Sequence, residues 1–156
     1  AGLASISFGN SLIKQVAADL AAELAGLKTF VTLSPIPGLS AWLRQEGQSL
    51  GEDTGTNIQS LAAYYLLNAK SRDGQPMDPV ARFHLGNGAI VHAVHADADT
   101  SDKGRAQSGG TMVNYLYDLT KVAQNHENFV TTREVVATAE VKALADAVSL
   151  PAAQER

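Results

Sequence analysis

The sequence predicts a mixed α/β (α+β) fold that forms a single domain over residues 1–156. Two observations support this. Several stretches repeat apolar residues at the spacing of an amphipathic helix, while others are rich in β-branched residues or alternate in character as strands do. A third observation is the content of 45% apolar and 18% charged residues, which is ordinary for a globular chain. A chain of this length can bury one modest core.

The chain opens with a predicted helix followed by a predicted strand. Leucine, isoleucine and valine recur at helical spacing over residues 11–25, and Gly26 is placed to end that helix. The stretch KTFVTLS, residues 28–34, is rich in β-branched residues and predicts a strand. PIPG follows it and ends the strand, because prolines cannot donate ladder hydrogen bonds.

The middle of the chain contains further predicted elements. SAWLRQEGQSL favours a short helix, and GEDTGTN, residues 51–57, is typical of a loop. IQSLAAYYLLNAK predicts a second amphipathic helix, and VARFHL is compatible with a strand or with the end of a turn. AIVHAVH alternates and predicts a strand with His92 and His95 on opposite faces. The apolar side of the second helix is formed by Ile58, Leu61, Ala62, Tyr65 and Leu66.

The last third begins with a polar stretch, residues 97–110, which predicts a loop. TMVNYLYDL is ambiguous, and its β-branched and aromatic residues favour a strand at the start and a helix at the finish. TTREVVATAEVKALADAVSL predicts one closing helix.

Composition limits the possible partners. The formal net charge of −4 and the lack of a basic stripe argue against nucleic acid. The absence of cysteine excludes disulfides, thiolate nucleophiles and cysteine-based zinc sites. The sequence contains no apolar run long enough for a membrane span and no basic segment before an apolar run as in a signal peptide, so we expect a cytoplasmic protein without membrane contact. Backbone amides could still bind an anionic ligand.

Two loops are candidate binding or catalytic segments. SFGN, residues 7–10, precedes the first helix, where free amides and the positive helix end suit a pyrophosphate, although a simple N-cap by Asn10 or Ser11 explains the same pattern. Ser34 ends a strand before a rigid Pro35 turn, a position that can face a cleft. A serine that only forms the turn is the alternative.

His84 is the strongest histidine candidate. In a strand it would face away from Phe83 and Leu85, which allows an imidazole that faces a cleft, whereas a buried histidine with a structural partner is the alternative. His92 and His95 make a poor metal pair and are expected at the surface, as is His126. Tyr115 and Tyr117 would share one face of a strand or lie on different sides of a helix, and a core role is the default for both. The pattern contains no metal motif.

Four stretches occur in an order that resembles one known family. SFGNSLIKQV, KTFVTLSPIPGLSAWL, DPVARFHLGNGA and MVNYLYDL are similar to the C-terminal region of malonyl-CoA decarboxylases, and LSPIPG and FHLGNGA are the most specific of these motifs. The resemblance covers most of the chain. It implies the C-terminal portion of a GNAT-like acyl-CoA-binding fold, and a carboxy-lyase that converts malonyl-CoA into acetyl-CoA and carbon dioxide in fatty acid metabolism.

The resemblance also assigns residues. Ser34 in LSPIPG matches the active-site serine of the family, His84 in FHLGNG matches its catalytic histidine, and Tyr117 in NYLYDL matches an active-site tyrosine. The segment that would receive the CoA pyrophosphate consists of Phe8, Gly9, Asn10 and Ser11.

Several departures from the family pattern are expected to matter. No part of the sequence corresponds to the family's N-terminal helical domain or to the early strands of a GNAT fold. The stretch between LSAWL and LAAYYLL is short, and Ser7 stands where some members have an acidic residue. An incomplete sheet would expose an edge strand, so we expect a homo-oligomer or a partner chain.

The implied reaction needs no cofactor beyond the CoA of the substrate, because the thioester carbonyl accepts the electrons as carbon dioxide leaves. Ser34 and His84 would form a hydrogen-bonded pair at the malonyl carboxylate, His84 would supply the proton, and Tyr117 would orient either this pair or the thioester. An acyl-CoA-binding or acetyltransferase-like module without decarboxylation, and a structural fragment, are the alternatives. The expected location is the bacterial cytoplasm.

Overall fold

A computed structural model describes residue 15 and residues 28–46 and 57–148 of the chain. Helices and strands are mixed within this part, so the predicted α+β class is confirmed. The described elements are β1 (Thr29–Pro35), α1 (Leu39–Gln45), α2 (Ile58–Asn68), α3 (Pro79–Gly86), β2 (Ile90–His95), α4 (Asp102–Ser108), β3 (Met112–Asp118), α5 (Val122–Thr132) and α6 (Ala139–Asp146).

The three described strands form one antiparallel sheet in the order β1-β3-β2. The central strand β3 follows β2 in sequence and pairs with both neighbours. Its register with β1 places Phe30 opposite Tyr117 and Ser34 opposite Val113. Because side chains on a strand alternate between faces, these residues lie on one face of the sheet.

That inner face of the sheet holds the core, together with the helices. Val113, Tyr115 and Tyr117 of β3 are fully buried there, and α2 and α6 pack against each other and against β2. The outer face is different, since Val31 and Leu33 of β1 are about half exposed, at 51% and 56%. The apolar side predicted for the second helix is confirmed, because its residues belong to the core or pack against it.

The VARFHL stretch forms the helix α3 and is neither a strand nor the end of a turn. Asp78 caps this helix by accepting a hydrogen bond from the amide of Ala81 at 3.1 Å, and Pro79 occupies the first helical position. A proline at that position loses no hydrogen bond, and its fixed φ suits a helix. The helix begins one residue before the quoted stretch and its cap lies two residues before it, so the helical signal is the Asp78-Pro79 pair.

Other element boundaries also differ from the predictions. TMVNYLYDL is strand throughout residues 112–118, because burial of alternate residues between two neighbouring strands overrides any helical preference at its finish. The predicted loop over residues 97–110 contains α4, which Ser101 caps at its start and Gly109 ends in the left-handed conformation. The predicted closing helix is interrupted by non-helical residues 133–138.

The strand β2 is confirmed, but its alternation is broken. The pairing with β3 shifts register between Val91 and Ala93, so Val91 and Val94 are both buried, and His92 and His95 are both exposed. A β-bulge adds one unpaired residue and restarts the alternation behind it.

Some predictions fall on residues that the structure does not describe. Gln15, the described member of the first predicted helix, is helical, whereas the rest of residues 11–25 and the loop over residues 51–56 lie outside the described part. Within the ranges 28–46 and 57–148, no helix combines the length and the apolar character that crossing a membrane requires.

Candidate active site

Ser34 lies at the end of β1 on the inner face of the sheet and is 5% exposed. Its Oγ lies 3.2 Å from Nε2 of His84 and 3.1 Å from Oγ1 of Thr32, its neighbour on the same face. Strand alternation brings Thr32 and Ser34 to one side, and the Pro35-Ile36-Pro37 turn then directs the chain into α1. The serine therefore faces the histidine predicted as its partner.

His84 is carried by the last turn of α3 and is 7% exposed. Its two ring nitrogens have different partners, since Nδ1 lies 2.5 Å from the Tyr117 hydroxyl while Nε2 faces Ser34. The imidazole also stacks on the ring of Tyr115, with centroids 4.5 Å apart and an interplanar angle of 21°. The ring is thus fixed both in its plane and across its face.

Tyr117 lies on β3 and is 1% exposed. Its ring is nearly parallel to that of Phe30, directly opposite on β1, at a centroid distance of 4.8 Å and an angle of 7°. Stacking of this kind fixes the ring and leaves the hydroxyl free to reach the histidine. The structure therefore brings together all three residues that were predicted to be catalytic.

Burial sets the charge state of this group. Desolvation lowers the pKa of His84 to about 4, because a buried imidazolium loses its hydration. The same cause raises the pKa of Tyr117. Both side chains are therefore neutral at pH 7.

Neutral groups leave two arrangements of the protons. When the Tyr117 hydroxyl donates to Nδ1, Nε2 carries the proton and donates to Ser34. In the other tautomer Nδ1 donates to Tyr117, and Ser34 donates to Nε2. The three residues thus form a continuous hydrogen-bonded chain that can present a donor or an acceptor to a ligand.

A pocket of about 870 Å³ opens next to this chain of hydrogen bonds, and both Ser34 and His84 line it. Drug-sized ligands occupy pockets of similar volume. The apolar wall comprises Pro35, Pro37, Pro79, Val80, Phe83 and Met112. The polar wall comprises Asp99, Lys103 and Gln107, from α4 and the loop before it.

Sequence reasoning missed several residues of the site. Thr32 contacts Ser34 as its neighbour on the same face of β1, and Tyr115, for which only a core role was expected, stacks on His84 because α3 packs against the sheet. The residues of the polar wall lie in the stretch 97–110, which was predicted to be a loop and was not among the candidate site residues. Only the Ser101 cap and the two glycines after Ser108 could have indicated that a helix lies there.

The other histidines lie outside the site. His92 and His95 are exposed, as predicted, and His95 Nε2 lies 2.5 Å from Oδ1 of Asn114. His126 was expected to be exposed but is half-buried, because its Nδ1 donates to the Gly86 carbonyl at 2.7 Å. In the ranges that the structure describes, no cluster of three acidic or histidine side chains could hold a metal ion.

The predicted phosphate-binding segment lies outside the described residues. This applies to Phe8, Gly9, Asn10 and Ser11, and equally to Ser7. Their assignment stays a prediction.

Comparison with known proteins identifies relatives. The family model described as the malonyl-CoA decarboxylase C-terminal domain matches residues 1–55 and 45–155. The chain is 32% identical over 185 residues to the mitochondrial malonyl-CoA decarboxylase of Anser anser anser, covering 90% of this chain and 36% of that protein. The corresponding enzyme of Rattus norvegicus is 29% identical over 188 residues, with coverage of 92% and 38%. The chain thus spans little more than a third of these relatives.

Solved structures give the same result. The malonyl-CoA decarboxylase from Rhodopseudomonas palustris superposes with a TM-score of 0.79 at 41% identity, covering 91% of this chain and 41% of that one. The protein of the same name from Cupriavidus metallidurans gives a TM-score of 0.75 at 37% identity, with coverage of 90% and 44%. Since the family model matches nearly the whole sequence, this chain belongs to the malonyl-CoA decarboxylase family, to the part formed by its C-terminal domain.

Proposed function

We propose that the site decarboxylates malonyl-CoA to acetyl-CoA and carbon dioxide. The observation that carries the proposal is the hydrogen-bonded chain from Ser34 through His84 to Tyr117 beside a pocket of about 870 Å³. In a member of this family, such an arrangement offers a carboxylate and a thioester two positioned hydrogen-bond partners in a largely apolar pocket.

The reaction requires only electron flow and one proton. The bond between C2 and the carboxylate carbon breaks, its electrons move into the thioester to give an enolate, and carbon dioxide leaves. Protonation of C2 then yields acetyl-CoA. The thioester itself accepts the electrons, so we propose that the reaction needs no added cofactor.

His84 is the proposed proton donor. Burial keeps it neutral at pH 7, but a bound carboxylate next to the ring favours the imidazolium and raises its pKa. The histidine takes up a proton as the anionic substrate binds and gives it to C2 after carbon dioxide has left, so charge and protons balance. Ser34 holds the carboxylate by a hydrogen bond and forms no covalent intermediate.

Tyr117 is proposed to orient the imidazole. Its hydroxyl contacts Nδ1, and its ring is held by Phe30. An imidazole that cannot turn keeps Nε2 directed at Ser34 and at the pocket. Phe8 to Ser11 are proposed to bind the CoA pyrophosphate through backbone amides at the start of the predicted first helix.

Release of carbon dioxide from malonyl-CoA by the purified chain tests this function. Ser34→Ala and His84→Ala should each lose most of the rate, and the double variant little more, because residues of one catalytic unit are not additive. CoA affinity, measured by calorimetry, should persist in all three. Full activity in His84→Ala would sink the assignment, and binding of acyl-CoA without turnover by the wild type would favour an acyl-CoA-binding module instead.

We also propose that the chain works as a homo-oligomer or with a partner chain. Among the described strands, β1 is at the sheet edge, and its Val31 and Leu33 are about half exposed. Edges and apolar surface of this kind are commonly covered by another chain. The mass in solution at micromolar concentration tests this, and a stable monomer would contradict it.

A cytoplasmic location in a bacterium completes the proposal. The bacterial proteins of known structure reach 41% identity, whereas the mitochondrial relatives reach 32%. Fractionation of the source cells, followed by detection of the chain, would test the location.

A further inference from the structure

Asp78 is a buried carboxylate that the proposed mechanism does not use. It is 1% exposed and lies at the N-terminus of α3, the helix that carries His84. Burying a carboxylate is costly unless it is well hydrogen-bonded, so its partners are informative.

The carboxylate joins three separate parts of the chain. Oδ2 accepts from the Ala81 amide at 3.1 Å, which caps α3. Oδ1 accepts from the Gly38 amide at 3.4 Å, in the turn after β1, and from the Tyr65 hydroxyl of α2 at 3.3 Å. Only the first of these bonds is needed to cap a helix.

The second oxygen closes a ring of contacts around the active site. Gly38 follows Ser34 by four residues, and His84 follows Asp78 by six. Ser34 contacts His84, so the ring runs from Ser34 through the turn to Asp78, along α3 to His84 and back to Ser34. Asp78 fixes the two segments that carry the serine and the histidine at their far ends.

The packing around Gly38 shows that its close approach to Tyr65 and Asp78 depends on glycine at this position. A Cβ at this glycine would overlap the Tyr65 hydroxyl, so the turn approaches α2 as closely as it does only because it has no side chain there. Burial, and next the negative charge of Asp78, raise the pKa of Tyr65 and of Tyr115, whose ring stacks on His84. The carboxylate thus lies close to the ring system that holds the imidazole.

We propose that Asp78 is a positioning residue that sets the Ser34–His84 distance by anchoring the turn after β1 to the start of α3. This inference rests on the proposed decarboxylase function. Six residues of helix span about 9 Å, so a tilt of about 5° at Asp78 moves His84 by roughly 0.8 Å. Displacements of about 1 Å can cost about a hundredfold in rate.

Two variants separate the capping of α3 from the hydrogen bonds that anchor the turn at Gly38 and the Tyr65 hydroxyl. Asp78→Ser keeps an N-cap hydroxyl but is too short to reach Gly38 and Tyr65. Asp78→Asn keeps the size but has one acceptor oxygen, which can serve either the Ala81 amide or the Gly38 amide. Thr138→Ala is the matched control, because it removes an N-cap, that of α6, in a helix that contributes no residue to the site.

The kinetic test compares kcat with KM for malonyl-CoA at a temperature well below unfolding. Asp78→Ser should lower kcat by about 10- to 100-fold with KM changed less than about threefold, because the pocket stays and the alignment is lost. Asp78→Asn should lie between it and the wild type, and Thr138→Ala should keep the wild-type kcat. Wild-type kcat in Asp78→Ser would overturn the proposal, as would an equal loss in Thr138→Ala. If Asp78→Ser does not fold, Asp78→Asn alone carries the test, and a wild-type kcat in it has the same meaning.

A second measurement does not depend on activity. The ¹⁵N shifts of the His84 ring at pH 7, without substrate, report which nitrogen carries the proton and how strongly each is hydrogen-bonded. Loss of the anchor should move them toward the tautomer average of a free imidazole, whereas Thr138→Ala should leave them unchanged. Unchanged shifts in both Asp78 variants would refute the positioning role. If the wild type is inactive but the ¹⁵N shifts of His84 change in the Asp78 variants, the proposed function is rejected and the positioning role of Asp78 is retained.

Discussion

Replacing Tyr117 by phenylalanine removes one hydroxyl and leaves the ring in place. The ring is held by its parallel contact with Phe30, so the backbone and the core packing should not change. The lost atom is the partner of His84 Nδ1 at 2.5 Å. The variant therefore tests a single buried hydrogen bond.

The expected magnitude follows from the burial of the imidazole. His84 is 7% exposed, so its Nδ1 would remain without a partner and away from water, at a cost of about 1–3 kcal/mol. For a chain of this size, each kcal/mol lowers the melting temperature by about 2–4 °C. If the same loss falls on the transition state, carbon dioxide release slows by about 5- to 150-fold.

Tyr115→Phe is the matched control, two residues away on the same strand and face. Tyr115 is fully buried, and among the described residues its hydroxyl has no hydrogen-bond partner. Its removal should leave the free energy of unfolding unchanged or raise it slightly, since an unsatisfied buried group is lost. The test is to measure the free energy of unfolding in urea and the decarboxylation rate for both Tyr117→Phe and Tyr115→Phe. Equal effects in the two variants would refute the reasoning, because burial alone would then explain them.

Three further outcomes are expected. Gly9→Val should weaken CoA binding by blocking approach to the backbone, and unchanged affinity in calorimetry would remove that loop from the site. Gly88→Ala should lower the free energy of unfolding by more than about 2 kcal/mol, because Gly88 has φ +91° and a Cβ there would overlap the Val122 carbonyl. The control is Gly86→Ala, which has open space at its Cβ and should be neutral or stabilising by up to about 1 kcal/mol. Urea unfolding measures both. The pKa of His84 is about 4 in the folded chain and 6.5 when unfolded, so the unfolded state binds more protons between these values. The free energy of unfolding should therefore fall by up to about 3 kcal/mol as pH decreases from about 6.5 to about 4, and His84→Gln should lack this part of the pH dependence; identical pH profiles would contradict it.

Local patterns were sufficient for the elements with strong periodicity. The apolar spacing over residues 58–68 predicts a helix and identifies its buried side. The β-branched residues of β1 and the prolines that follow them predict a strand and its end. The stretch around His84 was harder, because six residues of mixed character fit a strand as well as a helix. The deciding Asp-Pro cap lies just before them.

The site itself required information that no local pattern contains. Ser34 and His84 are 50 residues apart, and His84 and Tyr117 are 33 apart. On spacing alone, each had a structural explanation that was at least as good. The family resemblance nominated all three, whereas the contact of Asp78 with the turn after β1 and the stacking of Tyr115 on His84 depend on where α3 lies against the sheet.

The strand order has a consequence for folding during synthesis on the ribosome. The last described strand in the chain, β3, is the middle strand of the sheet, and β1 and β2 each pair with it and not with each other. At about 5–20 residues per second, β1 waits roughly 5–20 s before Asp118, the partner of Thr29, is translated. For most of that interval β1 has no neighbouring strand, and once residue 95 is made both outer strands of the sheet are present without the middle one. The time taken to translate residues 36–118 therefore sets how long β1 remains without its partner strand.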